Sequence, residues 1–447
     1  MSAERLSAVD ASFLAVETPS TPMHVGWVAR FDPPEDGPHP TAQELGDHIG
    51  ARMRHAHRYR QRLADVPLGV HEPVWVDDPS FDPARHVHPA AGDLDALVDD
   101  VLSIPLERDR PLWEMWITGD PITIVGKAHH CMVDGTAVVE LGNLLLDASS
   151  GDGEVPGGEW EPTPEPTPGQ RLGRAIADRT GEAASLAFAP LKLAVAPWRL
   201  RAVPGAARTA AHLVLPPAPS SPLNRPGSAR RHHIRVTRPL DDLRTVRKRF
   251  RVTPNDVVLA TCAGALRSFW ARRGERPQAL KVMVPADVRS SEDETASGNR
   301  ISFLFIELPC DEPDPVARLQ AVGRATAQRR RDGEAEDLDA AFRLVALTPQ
   351  PVQRALAHAF AHPRLFNLTI SSVPGPAVPR YLHGCRLREV HSAVPLAARH
   401  ALSIGVVMVA GNACFGISAD PSTLPDADDL ASDLDASLDE LLEAAGA

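Results

Sequence analysis

Cysteine is scarce in this chain of 447 residues: there are five, an odd number without framework spacing. That excludes a disulfide scaffold and suits a reducing compartment. Lysine is rarer still, confined to Lys127, Lys192, Lys248 and Lys281, so nearly all positive charge is arginine, which reads as genomic bias. Cations total 47 against 58 acids, a formal net charge of -11, and that balance argues against nucleic acid as a partner. No run of 18 uncharged apolar residues occurs, and the start, Met1-Ser2-Ala3-Glu4-Arg5, lacks the apolar segment of a signal peptide. These absences predict a cytoplasmic chain, or one that lies on a membrane from the cytosolic side. What is present is ordinary for a globular protein, 43% hydrophobic and 23% charged residues. The length suits two domains of about 200 residues each.

The most informative stretch is His129-His130-Cys131-Met132-Val133-Asp134-Gly135. It follows the short apolar run Ile122 to Gly126 and opens into Thr136 to Leu141, so it reads as a strand, a turn, and a helix that starts at Asp134. Imidazole is the side chain best poised near neutral pH to take a proton from an alcohol, itself a poor nucleophile. Successive strand side chains point to opposite faces, so His129 and His130 cannot both face one substrate. Asp134 sits where a helix N-cap belongs and Gly135 lets the backbone turn, which makes that carboxylate structural. Cys131 is a rival nucleophile, although alternation turns it away from His130. A metal site is a further reading, weakened because adjacent histidines diverge and no zinc-spaced third ligand follows. A structural histidine pair is another. His232-His233 serves as an internal control: it lacks the Asp-Gly and is assigned nothing.

Composition divides the chain into 1–149, a Pro-rich and helical connector over 150–228, and 229–447. In the first part the spacing predicts strands near 21–29, 69–76 and 112–118, with helices near 41–54 and 93–103. Arg52 to Arg62 is strongly basic and reads as a solvated helix end, or as a phosphate- or membrane-facing patch. The connector carries a mostly apolar stretch, 183–203, interrupted by Pro190 and Pro197; core packing or an interfacial element would explain it. In the last part Thr253-Pro254-Asn255-Asp256 opens a helix to about 273 that is apolar almost all round. Strands at 231–237, 279–284, 301–308 and 366–371 follow the same logic, as do helices at 313–330 and 337–361. A hairpin through Ala410-Gly411-Asn412 and a last helix at 426–444 complete the pattern, the latter with Leu430, Leu434, Leu438 and Leu441 inward. Helices and strands alternate in both halves, so the class is α/β or α+β with two similar lobes.

HHxxxDG resembles the signature of acyltransferases like chloramphenicol acetyltransferase, carnitine acyltransferases and peptide condensation domains. Over nearly the whole chain the sequence is similar to the bacterial wax ester synthase/diacylglycerol acyltransferase family. The residues that carry this, besides His129 to Gly135, are Leu6 to Phe13, Met23-His24-Val25-Gly26 and Pro111-Leu112-Trp113. Further along they are Leu223-Asn224, Asn255-Asp256, Val284-Pro285 with Arg289, Gly298-Asn299, and Ser371 with Val373 to Pro376.

The resemblance implies two chloramphenicol-acetyltransferase-like lobes, each a mixed sheet flanked by helices, with a tunnel between them. It implies direct transfer of a long-chain acyl group from acyl-CoA, a co-substrate, to a fatty alcohol or diacylglycerol, with no metal or redox cofactor. His130 would be the general base and His129 would be tied into hydrogen bonds behind it. Asp134 would pair with Arg289; Asn255, Asp256 and Asn299 would support the site, and Pro111, Trp113, Ser371 and Ser372 would meet substrate. Contact with the inner membrane or with lipid droplets would suit such substrates. The alternatives are an acyltransferase acting on a natural-product hydroxyl or amine, one with a carrier-protein thioester donor, and a non-catalytic lipid-binding or lipid-droplet protein. Two departures stand out. Ser372 replaces the family's usual Asn, and Pro285-Ala286-Asp287-Val288-Arg289 replaces Pro-Val-Ser-Val-Arg, adding a carboxylate.

Overall fold

The computed structural model describes residues 4–34, 38–133, 141–151, 160–187, 215–287, 301–346 and 348–446. In the first lobe β1 (His24–Asp32), β4 (Val87–Pro89), β5 (Trp113–Gly119) and β6 (Ile122–His129) lie in the order β1-β6-β5-β4. β5 and β6 form an antiparallel hairpin and β4 joins β5 in parallel. β2 (Gln61–Ala64) and β3 (Val74–Asp77) make a separate antiparallel pair. Every residue of β6 is buried because both of its faces are covered. Ile122, Ile124 and Ala128 cluster with Leu45 and Ile49 of α2 (Ala42–Met53) on one side. Val125 clusters with Val98 and Leu102 of α3 (Leu94–Ser103) on the other. α1 (Ala8–Val16) precedes β1, and α4 (Pro168–Ala187) lies within the connector.

The second sheet runs β7-β14-β13-β10-β8-β9. Its strands are β7 (His232–Pro239), β8 (Leu280–Asp287), β9 (Ile301–Leu308), β10 (Leu368–Pro374), β13 (Leu402–Val409) and β14 (Asn412–Ala419). β10 is parallel to both neighbours, β8 and β13. Behind this sheet stand α5 (Leu240–Phe250), α6 (Pro254–Arg272), α7 (Pro315–Arg331) and α10 (Asp429–Ala445). Thr253 and Asp256 close a capping box at the start of α6. Leu430, Leu434, Leu438 and Leu441 of α10 point inward, as their spacing requires. The expected helix over 337–361 is two helices, α8 (Glu334–Val345) and α9 (Gln350–Phe360), since Pro349 and Pro351 cannot continue the first.

One segment joins the lobes. β11 (Tyr381–Leu382) and β12 (Cys385–Ala393) come from the second half of the chain but complete the first sheet, as β11-β12-β1. β12 pairs antiparallel with β1, from Gly26 opposite Ala393 to Asp32 opposite Arg386. Its far end also crosses the face of the β13–β14 hairpin. Gly405 and Gly416, paired across that hairpin, leave room for Ser392: a Cβ on Gly416 would stand 2.2 Å from the Ser392 carbonyl oxygen. Accordingly Val409 and Cys414 of the second sheet pack in the cluster of the first lobe. Polar links close the seam elsewhere. Arg231 donates to the Ser20 carbonyl at 2.9 Å, and His232 lies 2.7 Å from Asp99 and 2.8 Å from Asp428.

The basic run Arg52 to Arg62 is not a uniform surface patch. Arg52 is buried and makes a bidentate pair with Asp147 at 2.7 and 2.8 Å, while Arg60 is buried under the Trp160 ring at 4.4 Å. Arg58 alone of these three reaches outward, to Glu4 at 2.5 Å. Most of the 183–203 stretch lies outside the described residues, as does the proposed helix start at Asp134. Among the described residues no helix is long and apolar enough to cross a membrane.

Candidate active site

β6 delivers His129 to the end of the first sheet where the lobes meet: His129 stands opposite His24 on β1, two residues from the Gly26–Ala393 pair. The strand continues to its neighbour through the His129 N–H, which donates to the Leu112 carbonyl at 2.9 Å. The chain then turns, pinned by the His130 N–H on the Met23 carbonyl at 2.8 Å and the Met132 N–H on the His129 carbonyl at 2.9 Å. Alternation through this junction separates the two imidazoles as the sequence requires.

His129 is buried and shares the α3-covered face with Lys127 and His24. Its Nδ1 accepts the Cys131 N–H at 3.1 Å, so the ring proton resides on Nε2. Nε2 lies 3.3 Å from Glu17 Oε1, the same oxygen that accepts the Met23 N–H at 3.2 Å, and Arg108 holds the other oxygen. Burial alone would raise the Glu17 carboxyl. The His129 contact, Arg108 and the Met23 N–H outweigh it and hold that carboxyl at about 2. His24, behind, is pushed down to about 3 by burial and by the Lys127 charge, and its Nε2 meets the Leu102 carbonyl at 3.1 Å.

His130 is half-buried. Phe13 of α1 stacks on its ring, centroids 3.9 Å apart and planes 10° from parallel. Nδ1 of His130 is buried, so a substrate could not reach the ring through that nitrogen. Cys131 is buried in the core, and burial, with the Asp10 and Glu17 carboxylates, pushes its thiol well above the ordinary range. A thiol so held is a poor nucleophile.

The other sequence-derived positions divide sharply. Pro111 and Trp113 flank Leu112 and so lie beside the histidines. Trp113, however, is 0% exposed: its ring stacks on His86 at 4.6 Å and its indole N–H donates to the Tyr59 carbonyl at 2.7 Å. Any effect it has on substrate passes through the position of β5. Asp256 is likewise committed, accepting the Thr253 N–H at 2.8 Å and the Thr326 hydroxyl at 2.6 Å, with Asn255 half-buried beside it. Ser371 pairs with Gly405 and Ser372 with Val406. Gly405 faces Ser392, whereas Val406 belongs to the helix-covered core. Ser371 therefore looks toward the seam between lobes and Ser372 away from it. Asp134, Gly135, Arg289 and Asn299 lie outside the described residues. His232 and His233, assigned nothing from sequence, serve the fold: His232 bridges two aspartates and His233 is buried, pushed down to about 3. Phe13 and Glu17 carry no role in the sequence reading. The only hint is that Leu6 to Phe13 belongs to the resemblance.

Similarity to known proteins agrees with this arrangement. Residues 6–258 match the model of the wax ester synthase/diacylglycerol acyltransferase catalytic domain, and residues 297–442 that of the WS/DGAT C-terminal domain. A Mycobacterium tuberculosis protein named "Probable diacyglycerol O-acyltransferase" is 31% identical over 441 residues, covering 95% of this chain and 93% of that one. The wax ester synthase/diacylglycerol acyltransferase from Marinobacter aquaeolei VT8 superposes with a TM-score of 0.72 at 22% identity, over 99% of this chain and 100% of the other. The first condensation domain of the calcium-dependent antibiotic synthetase shares the fold more distantly, with a TM-score of 0.59 at 16% identity, over 100% of this chain and 96% of that one. With its HH motif at the junction of two mixed sheets and both family domains matched in order, the chain is an acyltransferase of the wax ester synthase/diacylglycerol acyltransferase family.

Proposed function

We propose that this acyltransferase moves a long-chain acyl group from acyl-CoA to an alcohol, diacylglycerol or a fatty alcohol, with His130 as general base and no acyl-enzyme. The observation that carries the reading is the placement of His130: half-buried at the end of β6 beside the seam of the lobes, with Nδ1 enclosed and Phe13 stacked on its ring. Nε2 takes the hydroxyl proton as the oxygen attacks the thioester carbonyl. The C–O bond forms and a tetrahedral oxyanion develops, which needs preorganised donors. The C–S bond then breaks, and the leaving thiolate takes the proton from the imidazolium. Asp134 and Arg289 are assigned, from the resemblance alone, the support of the turn. Asn255 and Ser371 bound the site from the second lobe, and Asn299 is assigned a supporting role from the resemblance alone. The substrates are lipids, and we place peripheral membrane or lipid-droplet contact on one surface. Leu68 is 88% exposed, and Val352 and Leu356, one turn apart on α9, are each 43% exposed. The Gln350 side chain, at the start of α9, lies beside Gly69, so the two are neighbours.

The test is CoA-thiol release from palmitoyl-CoA, with hexadecanol and dipalmitoylglycerol as separate acceptors, for wild type and His130→Ala. The expected result is acceptor-dependent release that falls by roughly 10²–10⁴ in the variant. Release that persists in a folded His130→Ala protein refutes the base. No release with either acceptor refutes the acceptor class.

A further inference from the structure

Elementary geometry leaves the proposed base underdetermined. The backbone of His130 is fixed by the Met23 carbonyl, but that bond does not itself set the last torsion of the imidazole, which is intrinsically broad and roughly two-fold. A general base needs the lone pair of one nitrogen aimed within a few tenths of an ångström of a hydroxyl proton. A group that constrains the ring plane therefore contributes directly to the reaction.

Such a group is on α1. Phe13 lies parallel to the imidazole at van der Waals separation, and a flat wall of this kind permits sliding but not rotation of the ring out of plane. α1 is itself clamped at both ends. The Leu6 N–H donates to the Pro73 carbonyl at 3.0 Å and Ser7 caps the helix through the Asp10 N–H at 3.0 Å. At the other end Glu17 is tied to His129 and Arg108. One short helix thus contacts both histidines: its C-cap carboxylate lies against the ring behind, and its ring stacks on the one in front. A flat ring is more than apolar contact requires, because the smaller Leu would supply such contact without a planar face.

We propose that Phe13 is a positioning residue for the reaction: it sets the plane of the His130 imidazole so that Nε2 points edge-on into the seam, and it keeps water off one ring face. This rests on the assignment of His130 as general base.

The experiment compares wild type, Phe13→Leu, Phe13→Tyr and His130→Ala in the CoA-release assay, with thermal unfolding of each. Phe13→Leu keeps apolar volume and removes the flat ring; the expected result is a kcat lower by roughly tenfold to a hundredfold with KM for palmitoyl-CoA and for the acceptor within about twofold. Phe13→Tyr, which keeps the ring, is expected to restore kcat to within about threefold. Wild type carrying ¹³C-labelled histidine supplies a readout that needs no Phe13 variant to fold. The His130 ring-proton signal, identified by its loss in His130→Ala, should lie upfield of the exposed histidines because it sits over an aromatic face. An unshifted signal, or an unchanged kcat in Phe13→Leu, overturns the proposal. So does a loss shared by Leu and Tyr alike that tracks melting temperature. Turnover that survives in His130→Ala removes the base assignment itself, whereas inactivity of His130→Ala beside a fully active Phe13→Leu removes only the positioning role.

Discussion

Adding one methyl group at Gly416 should disturb this enzyme more than most changes nearer the histidines. The new Cβ would stand 2.2 Å from the Ser392 carbonyl oxygen and 2.9 Å from His233 Cε1, against an ordinary contact of about 3.5 Å. More than an ångström of movement is required, and the obstacle is backbone. β12 cannot yield alone, since Ser392 pairs with Trp27 and Ala393 with Gly26 on β1, two residues from His24. At Gly405 the first obstacle is softer: Ser392 Oγ at 2.1 Å can rotate away, leaving the carbonyl oxygen and a Val394 methyl at 3.0 Å. Overpacking of this kind costs about 1–3 kcal/mol. Gly416→Ala belongs at about 3 and Gly405→Ala nearer 1. Ser392→Gly removes the hydroxyl but not the carbonyl. It should therefore recover most of the loss from Gly405→Ala and almost none of that from Gly416→Ala, a coupling that a double-mutant cycle isolates. Urea unfolding followed by tryptophan fluorescence gives the stabilities, and CoA release gives the activities. The reasoning is refuted if Gly416→Ala matches wild type, or if Ser392→Gly rescues both variants equally.

Three further outcomes follow from the same structure. Glu17→Gln should lose roughly 1–2 kcal/mol at pH 7, the shift from 4.5 to about 2 being discounted because Arg108 stands half in solvent. A depressed carboxyl stabilises the fold above about pH 4.5, and that stabilisation is lost as pH falls toward 2. The gap to wild type should accordingly narrow as acid is added, and a constant gap between pH 7 and pH 3 contradicts the role given to the carboxylate. Cys131→Ala should keep kcat within about threefold, because a buried thiol held protonated is no nucleophile; an acyl adduct on Cys131 seen by mass spectrometry after palmitoyl-CoA treatment reverses that conclusion. Leu68→Asp with Leu356→Asp should lower co-flotation with diacylglycerol-containing vesicles by roughly tenfold or more, with kcat on detergent-dispersed acceptor unchanged; undiminished flotation places the membrane contact elsewhere.

Local patterns account for what was legible in the sequence. A strand that ends in two histidines announces their divergence whatever the fold, and Thr253-Pro254 announces the start of α6 because capping is a matter of neighbouring residues. Contacts made from far along the chain leave no such trace. Nothing at Phe13 says that its ring will lie on His130, nor at Glu17 that its carboxylate will meet His129. Trp113 shows the converse: resemblance marks it as near the site, yet only the packing of His86 and Tyr59 around it shows that it acts from the core. The Arg52 to Arg62 run reads as surface because charge is the local signal, but Asp147 and Trp160 draw two of its arginines inward. β12 is silent for a similar reason. Its burial pattern is irregular because it serves one sheet by its edge and crosses the other by its end.

That crossing strand also sets an order of events during synthesis. The first sheet contains residues from His24 to Ala393, so the ribosome must release most of the chain before the neighbour of β1 exists. Until then β1 has an open edge, and the end of the sheet that carries His24, His129 and His130 lacks its flank. Long-range pairings of this kind close slowly and leave edges exposed to wrong partners. The nascent enzyme is therefore inactive by construction, and it is most vulnerable to aggregation in the interval before β12 docks. For the same reason, cutting the gene in the connector should not yield two self-sufficient halves: the first would lack a strand and the second would carry a strand with no sheet to join.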